Sequence, residues 1–315
     1  MHMADALVSP SVGGVMWAAS AGLIAWCARR VRKSLQDSMV PMMGVLGAFI
    51  FAAQMINFSI PATGSSGHLG GGMILAILLG PYAAFIVIAS VLTVQALFFA
   101  DGGLLALGCN MFNLGFFPAF IAYPLIFRPI AGRVTSGVRF WIGAMLAAIA
   151  GLQMGAFGVV METTMSGVSD LPFKTFVMLI QPIHLAIGVV EGLITVAVVS
   201  FVMRARPTAV TEAFSANEGS RRVIVGLLIA ALVVGGMLSW FASTRPDGLE
   251  WAMGKVRAKE ESAQPTTEQA GEWPAVNART SVSGILGGGI TLVVAGLIGY
   301  GLRRRKAVYR GNYLE

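Results

Sequence analysis

The chain has 315 residues, 56% of them hydrophobic and 12% charged, with a mean hydropathy of +0.76. No soluble core hides that much apolar surface, so lipid must be the solvent and a soluble globular protein is excluded. The net charge of +7 does not indicate a nucleic-acid partner, because the basic residues sit in short clusters between apolar runs, where they read as topology signals.

The opening Met-His-Met-Ala-Asp-Ala has no basic residue before the first apolar run. A cleaved signal peptide is therefore not expected, and the mature chain is expected to begin at Met1. Apolar segments follow at roughly 7–28, 40–58, 69–80, 82–99, 103–127, 138–160, 174–203, 222–242 and 282–302. All are expected to be helices, since the runs are continuous rather than alternating, which excludes a β-barrel. The 69–80 segment is the shortest: about 12 helical residues cover only about 18 Å, which suits a short or re-entrant helix.

The expected fold is an all-α polytopic membrane protein in two parts. A body of about seven helices occupies residues 1–204 and a two-span module residues 222–315. Between them, residues 205–221, with Pro207 and a polar run, read as a cytoplasmic linker. Placing Arg29, Arg30, Arg32 and Lys33 inside and alternating from there puts 16 of the 22 basic residues in the cytoplasm. The N-terminus is then outside, as is a long loop at 243–281 with Pro246, Pro265 and Pro274, and the C-terminus is cytoplasmic.

The sequence lacks HExxH and GxSxG. The nearest approach to a phosphate loop, Gly248 to Lys255, has the wrong spacing and no Ser/Thr, so no ATP hydrolysis by this chain is expected. The three histidines say more. His2 and His68 fall on the same outer face, and His68 lies in a Gly-rich loop whose glycines permit tight turns. At His2 three nitrogens come together: the α-amine of Met1, the His2 amide and the His2 imidazole. With His68 as a fourth they make a planar N4 set, which suits Ni(II) or Cu(II). On chemistry alone, a chance surface histidine and an interfacial His68 remain the alternative.

Three stretches carry a family resemblance: Gly67 to Pro81, Val94 to Gly115 and His184 to Thr195, together with the opening Met-His-Met. They resemble the cobalt/nickel S components of energy-coupling-factor transporters, the CbiM/NikM family, across most of residues 1–204. The segment Pro246-Asp-Gly-Leu-Glu-Trp-Ala252 resembles the extracytoplasmic signature of the small N component, here fused to the body as in nickel systems. The resemblance implies Met1, His2 and His68 as ligands of a transported Ni2+ or Co2+, with no organic cofactor. It also implies a transmembrane coupling protein and a pair of ATPase subunits as partners, in a prokaryotic plasma membrane.

Other polar residues remain open between packing and metal contact. Asn57, Ser66, Gln95, Asp101, Asn110 and Asn113 are candidates for supporting the ligands, and His184 with Glu191, seven apart on one helical face, for a gate or coupling element. The scattered methionines read as core filler, and Cys27 and Cys109 as buried apolar residues. Gly14, Ala18 and Gly22 form a small-residue stripe that admits another helix. Two other functions compete: a self-sufficient secondary transporter or channel, for which only His184 and Glu191 offer a deep polar pathway, and an intramembrane metalloenzyme, opposed by the missing motifs.

Overall fold

A computed structural model describes residues 2–34, 39–61, 63–132, 136–168, 172–205, 218–243, 245–261 and 278–311. Met1, most of the expected linker (206–217) and residues 262–277 of the long loop lie outside the described residues.

Ten helices make up nearly all of it. They are α1 (Pro10–Ser34), α2 (Met39–Gln54), α3 (Gly72–Leu79), α4 (Pro81–Phe99) and α5 (Leu107–Ala131). Then come α6 (Val138–Ser166), α7 (Phe173–Ala205), α8 (Glu218–Gly236), α9 (Gly248–Glu261) and α10 (Ala278–Gly311). In α5 the hydrogen bonding widens to the π type over Phe112–Phe127, where Pro118 and Pro124 each remove a backbone donor. Among the described residues, six helices are long and apolar enough to cross a membrane: α1, α4, α5, α6, α7 and α10.

Three of the nine expected segments form shorter or less apolar helices than the other six. The 16 residues of α2 give about 24 Å, and α8 opens on Glu218, Arg221 and Arg222, which shortens its apolar part. The 69–80 segment departs most, because only Gly72–Leu79 is helical, about 12 Å of rise. The irregular stretch 65–71 that leads into α3 is buried within the body. Such backbone is tolerated at depth only where protein groups satisfy it. They do so here: Gln54 Nε2 donates to the Gly70 carbonyl at 2.8 Å, and Glu191 accepts from the Gly70 and Gly71 amides at 2.6 and 3.0 Å. Gly71 holds a left-handed φ of 79° to turn the chain into α3.

The C-terminal helices pack on the body through small residues. A methyl group at Gly44 of α2 would lie 2.9 Å from the Leu292 carbonyl, and one at Gly284 would lie 2.8 Å from the Gly235 carbonyl. Backbones therefore approach closely between α2, α8 and α10, as small-residue stripes allow in lipid.

Candidate metal centre

The first residues of the chain run inward and are clamped by α5. Asn110 takes both backbone groups of Met3, accepting from its N–H at 2.7 Å and donating to its carbonyl at 3.2 Å. That carbonyl also accepts from Gly103 N–H at 2.9 Å. Met3 is fully buried, and its sulfur lies 3.9 Å from Asn113 Nδ2, which donates to Glu162 at 2.7 Å. Asp5 accepts from the Ala106 amide at 3.0 Å. At Gly102 (φ 84°) a side chain would meet Asn110 at 2.9 Å and His2 at 3.4 Å, so a bare backbone is needed there.

This clamp delivers His2 to His68. Their ring centroids are 4.8 Å apart, 35° from parallel, and both side chains are buried. His2 Nδ1 lies 2.8 Å from Asp101 Oδ1, while its Nε2 is buried without a hydrogen-bond partner. Burial raises the Asp101 carboxyl, but the His2 charge and hydrogen bond, together with the other positive charge nearby, outweigh it and hold the carboxyl down at about 2. The His68 ring meets the Leu69 carbonyl through Nδ1 at 3.0 Å, which turns Nε2 away from that bond. Among the described residues no three His, Cys, Asp or Glu side chains converge on one point. Met1 lies outside the described residues.

Over this face sits the start of α9. The run Pro246-Asp-Gly-Leu-Glu250 is a capping box: Asp247 Oδ1 accepts from the Leu249 and Glu250 amides at 2.9 and 2.8 Å, and Glu250 reaches back to the Asp247 N–H at 3.2 Å. Leu249 and Ala252 are buried. Gly248 lies so close to α7 that an added methyl would meet Ile183 at 2.7 Å. The turn docks on the His68 segment. Ser66 N–H donates to the Pro246 carbonyl at 2.8 Å, and Ser66 Oγ to the Arg245 carbonyl at 2.7 Å. Ser243 N–H donates to Asn57 O at 2.6 Å, and Trp251 Nε1 comes within 3.7 Å of a methyl position at Gly64. Burial raises the Asp247 carboxyl, but nearby positive charge, His68 included, holds it below the usual carboxylate range.

The candidates thus separate. Asp101 and Asn110 touch the N-terminal arm directly, and Asn113 supports it through Met3 and Glu162. Gln95 acts one step back, donating to Gln54 Oε1 at 2.8 Å. Ser66 and Asn57 hold the docked turn, and Glu191 holds the backbone beyond His68. His184 lies beside Gly248 on α7. Gln54 and Glu162 carry no motif that marks them in the sequence. The stretch Gly248 to Lys255, compared above with a phosphate loop, is part of α9.

Fold and site define an α-helical multi-pass membrane protein that brings histidines together beneath a docked loop. Residues 2–209 match the family model described as the cobalt uptake substrate-specific transmembrane region, and residues 221–276 match the PDGLE domain. The chain belongs to this CbiM family of cobalt/nickel-transport membrane components, in the form that carries a C-terminal PDGLE domain. A protein of Archaeoglobus fulgidus is 34% identical over 235 residues, covering 72% of this chain and 74% of that one. The fused nickel transport protein NikMN of Rhodobacter capsulatus is 32% identical over 251 residues, 74% of this chain and 71% of that one. The cobalt transport protein CbiM of Geobacter sulfurreducens is 29% identical over 256 residues, 75% of this chain and 72% of that one. The crystal structure of a truncated transition metal transporter matches with a TM-score of 0.58 at 30% identity, over 65% of this chain and 99% of that one.

Proposed function

We propose that this chain is the metal-capture and translocation subunit of an ATP-driven energy-coupling-factor importer for Ni2+, with Co2+ as the alternative cargo. The observation that carries the reading is the delivery of His2 to within 4.8 Å of His68 by the Asn110 clamp on Met3. The ion is held by the Met1 amine, the His2 amide and imidazole, and the His68 imidazole. Closing the chelate ring from the His2 amide takes Nδ1, so on loading the amide N–H and the proton shared between Nδ1 and Asp101 are released to solvent as the ion takes their places, and the carboxylate remains beside the dication as a counter-charge.

The fused nickel transport relative supports nickel as the cargo. The face that meets the coupling protein is α1. Gly14, Ala18 and Gly22 are exposed, and a methyl group at either glycine would meet nothing within 4 Å. A partner pair of ATPases supplies the energy, and the N-terminus faces outward in a prokaryotic plasma membrane.

Metal titration in detergent tests the reading. The native chain binds one Ni2+ tightly, whereas a chain with one residue added before Met1 loses the amine and the chelate register and binds at least a hundredfold more weakly. Equal affinity in the two proteins overturns it.

A further inference from the structure

His184 has no role in the capture arrangement, yet its ring has the setting of a ligand. It is fully buried on α7, and its Nδ1 lies 2.8 Å from the Ile180 carbonyl oxygen. A carbonyl oxygen only accepts, so Nδ1 carries the proton and, in the neutral ring, the lone pair is on Nε2. That Nε2 is buried without a hydrogen-bond partner. Leaving a buried acceptor unsatisfied is costly, and native proteins do so rarely. By contrast, an imidazole whose N–H is fixed on a backbone carbonyl, with the other nitrogen open, is the usual support for metal ligation.

The surroundings of the ring point the same way. The Cβ position of Gly248 lies 3.3 Å from His184 Cε1, the carbon between the two ring nitrogens, so a side chain there would press on the ring, and the glycine leaves room beside it. Asp247, the preceding residue, acts electrostatically on both His184 and His68. One turn further along α7, Ile187 packs against Gly67, and the next turn brings Glu191 to Gly70 and Gly71. His184 therefore stands where the docked turn and the His68 segment meet the same face of α7.

We propose that His184 Nε2 is a loading ligand for the transported divalent ion, binding it beneath the docked turn and passing it to His2 and His68. The step is ligand exchange at constant oxidation state. No proton has to leave His184, because the donating nitrogen is already free of one. A lone imidazole with a neighbouring carboxylate holds a borderline first-row ion only weakly, which is what a station on the way to a four-nitrogen site requires. The inference rests on the capture reading for the ion's destination.

The test uses the full chain in detergent with Ni2+ alone, reading equilibrium affinity and stoichiometry by titration, loading rate by rapid mixing, and melting temperature without metal. His184→Asn keeps an amide donor for the Ile180 carbonyl but has nothing at the Nε2 position. It is expected to bind one ion with affinity within threefold of wild type, to melt as wild type does, and to load at least tenfold more slowly. Loading within twofold of wild type overturns the proposal. If His184→Asn does not fold, His184→Gln decides, since its amide reaches the Nε2 position as a poorer ligand. Slowed loading at an unchanged melting temperature supports the proposal, and loading that falls only in step with the melting temperature overturns it. Failure of the native chain to bind a single tight Ni2+, or indifference to N-terminal extension, counts against the capture reading and is seen in the titration rather than in the rate comparison.

Discussion

The two halves of the molecule are held by different forces. Around His2 and His68 the backbone is irregular, and directional contacts fix it: Asn110 on Met3, Glu191 on Gly70 and Gly71, Gln54 on Gly70. The C-terminal helices instead lie on α2 through Gly44, Gly47 and Gly235 and on each other through Gly235 and Gly284, where close approach and dispersion do the holding. A hydrogen-bond set of this kind has one arrangement, which a coordination site needs. A glycine-lined contact has no comparable angular demand. The exceptions in the C-terminal half are the bonds of Ser66 to Pro246 and Arg245 and of Ser243 to Asn57, where the module touches the His68 segment and the segment after α2.

This contrast can be broken at the site first. His2→Ala and His68→Ala are each expected to weaken Ni2+ binding by at least a hundredfold in titration, since the remaining nitrogens cannot complete a planar set. Wild-type affinity in either removes that residue as a ligand. Next in size is Asn110→Leu, which frees the Met3 backbone. The expected loss of affinity is about 10- to 100-fold, the usual range for groups that orient a ligand.

The docked turn sharpens the comparison. Asp247→Ala removes the cap of α9 at a cost of about 0.5–2 kcal/mol. The disulfide yield of a Gly64→Cys, Trp251→Cys pair is expected to fall in that background, and an unchanged yield means that the capping box does not hold the turn. The smallest effect is expected at Gly44→Leu. It is expected to force α10 from α2, detected by loss of proteolytic protection, while Ni2+ affinity stays within about threefold if the two halves are energetically separate.

Acidity separates them as well. The folded Asp101 titrates below its unfolded value, so its stabilising contribution is full above about pH 4 and is lost as the pH falls through about 2. Carbon-13 shifts of the Asp101 carboxyl are expected to stay constant from pH 7 to 4. A midpoint near 4 means that His2 does not hold it.

Much of this was legible in the residues. Continuous apolar runs marked the membrane helices, and the placing of His2 and His68 on one face anticipated that their rings meet. The 243–281 loop was placed on the same side as the N-terminus, and the Ser66–Pro246 bond joins it to the His68 segment. What stayed hidden has a physical reason. Gln54 and Glu162 are single polar residues in apolar helices, and nothing local separates a group that satisfies buried backbone from one that contacts cargo. The shortness of the 69–80 segment was legible, but the irregular backbone before Gly72 was not, because hydropathy records burial and cannot tell a helix from irregular backbone whose amides a distant Glu191 completes.

The capping box of α9 has a consequence for motion. A helix of 14 residues with mixed charge is marginal in water by itself, because forming its first turn is costly. Asp247 and Glu250 lower that cost, but the apolar residues that stabilise the turn, Leu249 and Ala252, are buried only while it lies on the body. Lifting the turn therefore amounts to melting a helix and reseating it to nucleating one. Amide exchange in residues 249–255 should then report uncovering of the His68 segment directly, and warming should open it well before the membrane helices yield.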